Sequence, residues 1–146
     1  MSSDDREIVN FALQIKTMRF HTRKWVKPED LNPNQTLFGG KLLSWIDEEA
    51  ALYSIIQLEN ERVVTKHMSE INFISSAKQG DIVEIGIDVV KFGKTSITLK
   101  CEVRNIMTKE TIITVNSITM VNLDSFGRPS MHGKTSIEFI RDRMKK

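Results

Sequence analysis

The sequence is poor in the residues that crosslink or interrupt a small fold. Among its 146 residues are one cysteine, Cys101, three prolines and seven glycines. A single cysteine cannot form an internal disulfide, and without a Cys-x-x-Cys pair or a Cys/His cluster there is no structural zinc site. These absences exclude a disulfide scaffold and predict a protein that needs no metal.

An excess of one charge sign and a long apolar run are missing as well. The 21 basic residues nearly balance the 19 acidic ones, for a net charge of +2, so we expect no nucleic-acid partner. No segment has the roughly 18 consecutive apolar residues of a membrane span, and the polar N-terminus lacks the apolar core of a signal peptide. We therefore expect one cytoplasmic domain over residues 1–146 with no membrane partner.

One long stretch has clear helical periodicity. A turn-forming run from Asn32 leads into a helix predicted over about residues 38–58. At roughly 100° per residue, Leu42, Ile46, Ala50 and Tyr53 fall on one face of this helix. The pattern predicts a helix that is buried along that face.

Three carboxylates interrupt this helix. Asp47 lies at the border of its apolar arc, Glu49 falls inside the arc, and Glu48 projects to the polar side. A carboxylate near an apolar face must find hydrogen-bond donors, become protonated or take part in chemistry, because an unpaired buried charge is costly. Periodicity alone leaves a structural or interface role and a catalytic role open for both Asp47 and Glu49.

Two glycines, Gly39 and Gly40, stand where the helix begins. They can bring bare backbone N–H groups close to a ligand at the positive end of the helix dipole, where an oxyanion could bind. They can equally serve close packing between helix and sheet.

The remaining chain alternates with period two, which is typical of half-buried strands. We predict strands over 62–73, 83–89, 97–103 and 111–123, a hairpin at residues 92–94, a bulge where the phase changes between Ile15 and Met18, and a short helix over 136–144. One helix and about five strands joined by short turns make an α+β domain in which an antiparallel sheet wraps the helix. Its sheet edges favour self-association.

The run N-P-N-Q-T-L-F-G-G-K-L-L-S-W-I-D-E-E-A resembles the signature of the hot-dog-fold acyl-CoA thioesterases. The similarity extends, in order, over Arg62–Thr65, Asn72–Ile74, Gly80–Val83, Gly93–Ser96, Asn122–Asp124 and Gly127–Pro129. It implies the hot-dog fold, with a core over about residues 11–129, and assembly into dimers and often hexamers built as trimers of dimers.

The resemblance also implies hydrolysis of acyl-CoA to a free acid and CoA, with coenzyme A present only as part of the substrate and no separate cofactor. Asp47 then matches the catalytic carboxylate, acting as general base or as nucleophile. Asn32 matches an asparagine that acts across the dimer interface, while Gly39 and Gly40 match the positions that supply oxyanion-binding N–H groups. Glu49 matches no catalytic position.

Contacts to CoA follow less directly from the resemblance. Lys94, Thr95 and Ser96 match the family's G-(R/K)-T-S element, and Lys78 is a further candidate, although each suits a solvated turn equally well. Two departures lie near the expected CoA path. Ser75-Ser76 replaces a basic residue followed by proline, and Gln35 stands where glycine is frequent.

Other classes fit the sequence less well. A hot-dog acyl dehydratase needs a histidine converging with an acid, but His21, His67 and His132 lie outside the central motif. A non-catalytic acyl-CoA-binding hot-dog protein is the other alternative, although regulators of that kind carry a DNA-binding module. A serine hydrolase would need a G-x-S-x-G turn around its nucleophile, which the sequence lacks. A nucleotide-binding P-loop would need its glycine-lysine motif, which is also absent.

Overall fold

A computed structural model describes residues 18–137 of the chain. The predicted change of strand phase near residues 15–18 and most of the predicted helix over 136–144 therefore fall outside the described residues. The elements in chain order are β1 (Arg19–Trp25), a 3-10 turn (Pro28–Asp30), α1 (Gly39–Leu58), β2 (Val63–Phe73), β3 (Ile82–Phe92), β4 (Ser96–Asn105) and β5 (Thr111–Asn122). Each predicted element inside this range is present, with ends within a few residues of the prediction.

The five strands form one antiparallel sheet in the order β1-β3-β4-β5-β2. Strands β3, β4 and β5 follow one another through hairpins, whereas β1 and β2, the strands on either side of the helix in sequence, occupy the two edges. The predicted α+β architecture, with one central helix on an antiparallel sheet, is confirmed.

Helix α1 packs along one face of the sheet. Leu42, Ile46 and Ala50 are buried as predicted. Tyr53, the fourth residue predicted on that face, is half-buried. Leu52 and Ile56 stay 48% and 43% exposed on the flank of the helix that the sheet does not cover. No helix within residues 18–137 is long and apolar enough to cross a membrane.

The two edges of the sheet differ in length and character. Strand β1 is seven residues long and rich in basic side chains, whereas β2 has eleven residues. Val64, Ile71 and Phe73 on β2 are 45%, 36% and 57% exposed. A long edge strand with exposed apolar side chains invites pairing with another chain, so β2 is the edge that association would protect.

Cys101 lies in the core on β4, below the helix. Burial is the main cause that raises the pKa of its thiol to about 12, and the negative charges of Glu49 and Glu102 raise it further. Glu49 is thus the carboxylate that points toward the sheet, as its place inside the apolar arc predicts. The thiol stays protonated at neutral pH, which leaves it a poor nucleophile.

We predict that native Cys101 resists a thiol reagent. At pH 8 an unperturbed thiol would be partly ionised, whereas the Cys101 thiol, with a pKa of about 12 and a residue exposure of 3%, is not. Ellman's reagent should give almost no colour with the folded protein and one thiol per chain in denaturant. Stoichiometric reaction of the folded protein within seconds would contradict the burial of this side chain.

Candidate functional site

The catalytic candidate Asp47 is held by a residue of the neighbouring strand. Thr65 Oγ1 on β2 donates a hydrogen bond of 2.5 Å to Asp47 Oδ1. The Asp47 side chain is otherwise exposed, so its second carboxylate oxygen can meet water or a ligand. The sequence reasoning missed Thr65 as a functional residue. The feature that could have identified Thr65 is a hydroxyl at a strand position that faces the helix, opposite the buried Met120.

A register irregularity in β2 lies directly beside this hydrogen bond. The pairing with β5 shifts between Thr65 and His67. Bulges change the direction of side chains and are frequent next to active sites. Here the shift lets Thr65 face the helix while His67 lies exposed opposite Thr119, on the other side of the sheet.

The structure separates the three carboxylates of α1, which periodicity alone could not do. Asp47 points toward the unpaired edge at β2, Glu49 is half-buried over the sheet, and Glu48 is exposed. Only Asp47 combines contact with solvent and an orienting hydroxyl. Within residues 18–137 no group of three or more His, Cys, Asp or Glu side chains is placed to hold a metal ion.

Asn32 organises the turn that leads to the helix. Its side-chain oxygen accepts hydrogen bonds from the N–H groups of Asn34 and Thr36, at 2.9 and 3.2 Å, and its Nδ2 donates to Thr36 Oγ1 at 3.0 Å. Gln35 within this turn has φ of 64°, in the left-handed region. This backbone explains why glycine suits the position, since a side chain there is strained.

Gly39 and Gly40 begin α1 under two aromatic rings. A Cβ on Gly39 would lie 3.2 Å from Phe73 Cε1, and one on Gly40 would lie 2.8 Å from Phe38 Cε1. These short distances support the interpretation that the two glycines allow close packing at the start of the helix. Their N–H groups also belong to the first turn of a helix, where the helix itself supplies no acceptor. The two roles are compatible.

A cavity of about 510 Å³ opens beside this helix start. It is lined by Asn32, Leu37, Gly39, Leu42, Phe73, Ile74, Ser75, Ser76, Ala77 and Ile112. The structure thus brings Asn32 and Gly39 together with Ser75 and Ser76, the pair that replaces the family's basic residue and proline. Asp47 does not line this cavity, because it lies eight residues further along α1, or about 12 Å at 1.5 Å per residue.

The predicted CoA contacts fall into two places. Lys78 pairs with Thr36 in an isolated bridge beside the Asn32 turn. Lys94, Thr95 and Ser96 form the β3–β4 hairpin, at the other end of the eleven-residue strand β3. That strand is roughly 35 Å long, so one chain does not unite the hairpin with the cavity.

We predict that Asn32→Ala loosens the turn as well as the site. The alanine removes the acceptor shared by two N–H groups, so the unfolding free energy should fall by about 1–2 kcal/mol. Urea denaturation followed by circular dichroism measures this. Asn32→Asp keeps an acceptor oxygen, so its unfolding free energy should fall less. If Asn32→Ala is as stable as the wild type, the turn does not depend on this side chain.

Comparison with known proteins agrees with this geometry. The model of the thioesterase superfamily matches residues 34–112. YkhA of Bacillus subtilis, named as an uncharacterized acyl-CoA thioester hydrolase, is 36% identical over 107 residues, which cover 71% of this chain and 62% of the relative. The chain spans 56 to 62% of the length of three such curated relatives.

Solved structures share the fold over most of the chain. The hexameric thioesterase y2039 from Yersinia pestis superposes with a TM-score of 0.72 at 26% identity, covering 79% of this chain and 95% of that one. An acyl-CoA hydrolase from Staphylococcus aureus, solved with butyryl coenzyme A and coenzyme A, gives a TM-score of 0.67 at 29% identity, covering 75% and 66%.

The family model covers more than half of the chain, and the helix and sheet have the architecture of these thioesterase structures. The resemblance noted from the sequence is confirmed: the chain belongs to the thioesterase superfamily and has the hot-dog fold.

Proposed function

We propose that this protein hydrolyses the thioester of acyl-CoA and that Asp47 carries the reaction. The observation behind the proposal is the Asp47–Thr65 pair, an exposed carboxylate oriented by a hydroxyl at 2.5 Å. A carboxylate fixed through one oxygen keeps the other free to act on a substrate. Orientation of this kind is what a general base or a nucleophile requires.

The chemistry needs an activated attacker and a polarised carbonyl. In the general-base route, Asp47 takes a proton from water as the water oxygen attacks the thioester carbon, and the CoA thiolate then leaves and is protonated. In the nucleophilic route, Asp47 attacks the carbon itself and expels the CoA thiolate, which is then protonated. Water opens the resulting mixed anhydride, which releases the free acid and restores the Asp47 carboxylate. The N–H groups at Gly39 and Gly40 are suited to hold the carbonyl oxygen as it becomes negative.

A relative with known ligands supports the choice of residues. Structures of the S. aureus hydrolase include variants in which an asparagine, an aspartate or a threonine is replaced by alanine. Its asparagine and aspartate are fifteen residues apart, as are Asn32 and Asp47. Its threonine follows the aspartate by seventeen residues, against eighteen for Thr65, which is one residue of difference.

The complete site requires two subunits in this proposal. Thr65 and Phe73 are eight residues apart on β2, roughly 26 Å along the strand. If two β2 edges pair antiparallel, the Phe73 end of one strand runs beside the Val63 end of the other. The cavity at Asn32 in one subunit then approaches Asp47 in its partner, which neither achieves alone.

The same arrangement gives the hairpin at residues 94–96 a place in the site. The N–H of Asn122, which pairs with Val63 on β2, donates to the carbonyl oxygen of Thr95 at 2.8 Å. The hairpin therefore lies at the Val63 end of β2, so antiparallel pairing would carry it toward the cavity of the partner. Relatives such as the Y. pestis thioesterase are hexameric, and we propose a dimer or a trimer of dimers here.

The histidines give the dehydratase alternative little support. The His132 ring accepts the Lys134 N–H on Nδ1 and contacts the Ser96 carbonyl through Nε2, at 2.9 Å each, so both nitrogens have backbone partners. His67 lies on the opposite side of the sheet from Asp47. A dehydratase would need one of these rings beside the carboxylate.

Asp47→Asn should lower kcat/KM for acyl-CoA at least a hundredfold, because an amide neither accepts the proton nor attacks the carbonyl. Release of free CoA thiol across an acyl-chain series provides the measurement. With native Cys101 unreactive, the thiol reagent reports only on the product.

Glu48→Gln is the matched control, since it makes the same change of charge one residue away on the exposed side of α1. Glu48→Gln should keep near-wild-type turnover. The kcat/KM of Thr65→Val should lie between those of Asp47→Asn and Glu48→Gln, because this variant leaves Asp47 present but unoriented. Retained activity in Asp47→Asn together with loss in Glu49→Gln would refute the assignment.

Mixing two inactive variants tests the shared site. Asn32→Ala and Asp47→Asn subunits, exchanged to equilibrium, should recover activity in roughly a quarter of all sites, because each mixed dimer contains one intact site. Tagged subunits verify the exchange independently. Proven exchange without recovery would mean that both residues act within one chain.

A further inference from the structure

A second cavity lies on the other flank of the first turn of α1. It has a volume of about 310 Å³ and is lined by Arg23, Lys24, Trp25, Lys27, Asp30, Lys41 and Trp45. None of these residues lines the cavity at Asn32. Its size falls at the lower end of the roughly 300–1,000 Å³ typical of ligand pockets.

Positive charge is concentrated in this cavity although the chain as a whole is nearly neutral. Four cationic side chains and one carboxylate line it, against a net charge of +2 for all 146 residues. Within residues 18–137, neither Arg23 nor Lys24 has a carboxylate oxygen within 4.0 Å. A concave site with unneutralised cations attracts anions.

The single carboxylate, Asp30, fixes part of this wall. Only 1% of Asp30 is exposed, and its Oδ2 accepts the backbone N–H of Lys27 at 2.9 Å. Its Oδ1 lies 3.6 Å from Lys41 Nζ and has no hydrogen bond within the described chain. Asp30 thereby holds Lys41 beside the cavity. Lys27 Nζ lies 3.9 Å from the Glu29 carboxylate, so among the described residues Arg23 and Lys24 are the two lining cations that carry the unpaired positive charge.

Both tryptophans of the protein line this cavity. Trp25 is 65% exposed at its rim, and its indole Nε1 donates to the carbonyl oxygen of Gly80 at 3.2 Å, which restrains the ring. Trp45 is 8% exposed. An aromatic face beside a group of cations is the combination that recognises a base and its phosphates together.

We propose that this cavity binds a nucleotide, with its phosphates held by Arg23, Lys24 and Lys41 and its base stacked on Trp25. A nucleotide can reach it from two sources, as the adenosine bisphosphate end of CoA or as a free nucleotide. The inference stands on charge, shape and aromatic surface, so it does not depend on hydrolysis at Asp47.

The two tryptophans make the test specific to the site. Because the protein has no other tryptophan, its tryptophan emission, excited selectively over that of Tyr53, comes from residues that line this cavity. Titrating the full-length protein with adenosine 3′,5′-bisphosphate should change the emission saturably, inorganic phosphate should displace the ligand, and adenosine should bind far more weakly. A bisphosphate titration without a saturable change up to millimolar concentration would overturn the proposal.

Charge-removing variants locate the binding. Arg23→Gln with Lys24→Gln should raise the dissociation constant at least tenfold, and added salt should weaken binding to the wild type. Lys100→Gln on β4 removes one charge elsewhere on the exposed surface and should bind as the wild type does. Equal affinity in the double variant and the Lys100→Gln control would place the nucleotide elsewhere and refute the site.

Kinetics separate the two sources. If the cavity takes the CoA end, the bisphosphate competes with acyl-CoA, and the double variant raises KM with little change in kcat. If it takes a free nucleotide, the bisphosphate binds with the same fluorescence response and leaves KM unchanged. A protein that binds the bisphosphate but hydrolyses no acyl-CoA would refute the proposed activity and leave this site intact.

Discussion

The packing of α1 across one face of the sheet is the contact on which the rest of the molecule depends. Ile46 and Ala50 have no exposed surface, and each fully buried aliphatic side chain of the size of Ile46 contributes about 1.5–3 kcal/mol. Since these contacts fix the rotation of the helix about its axis, they also determine where the side chains on its two flanks point. One flank presents Asp47 to Thr65 on β2, and the other presents Lys41 and Trp45 to the basic cavity.

The start of this helix adds a second constraint, which is steric. Aromatic rings lie so close to Gly39 and Gly40 that a Cβ at either position would have to displace the ring beside it. The first turn of α1 therefore has no side chain at Gly39 and Gly40, where the backbone N–H groups have no acceptor within the helix. Close packing and the proposed binding of an oxyanion thus involve the same two residues, and neither role excludes the other.

The exposed edge of β2 connects stability with the proposed catalysis. Its apolar side chains and unpaired backbone favour association, while Asp47 lies beside it and the Asn32 cavity lies at its far end. If pairing of two β2 edges completes the site, the monomer contains every catalytic group without their working geometry. Assembly would then be part of the mechanism.

The sequence by itself determined the elements, because helical and strand periodicities are local properties of the chain. It placed the helix, the four strands from β2 to β5 and their hairpins, and the motif around Asn32 and Asp47 indicated the family. Periodicity could not choose between Asp47 and Glu49, which both lie near the apolar arc.

Only the tertiary structure shows that these two carboxylates have different surroundings, since the contact of Asp47 with Thr65 joins residues eighteen positions apart on different elements. It also decided that the hairpin at residues 94–96 lies far from the Asn32 cavity within one chain, and that two tryptophans and four cations share a second cavity. Proximity between elements depends on strand order and helix rotation, which no local pattern encodes.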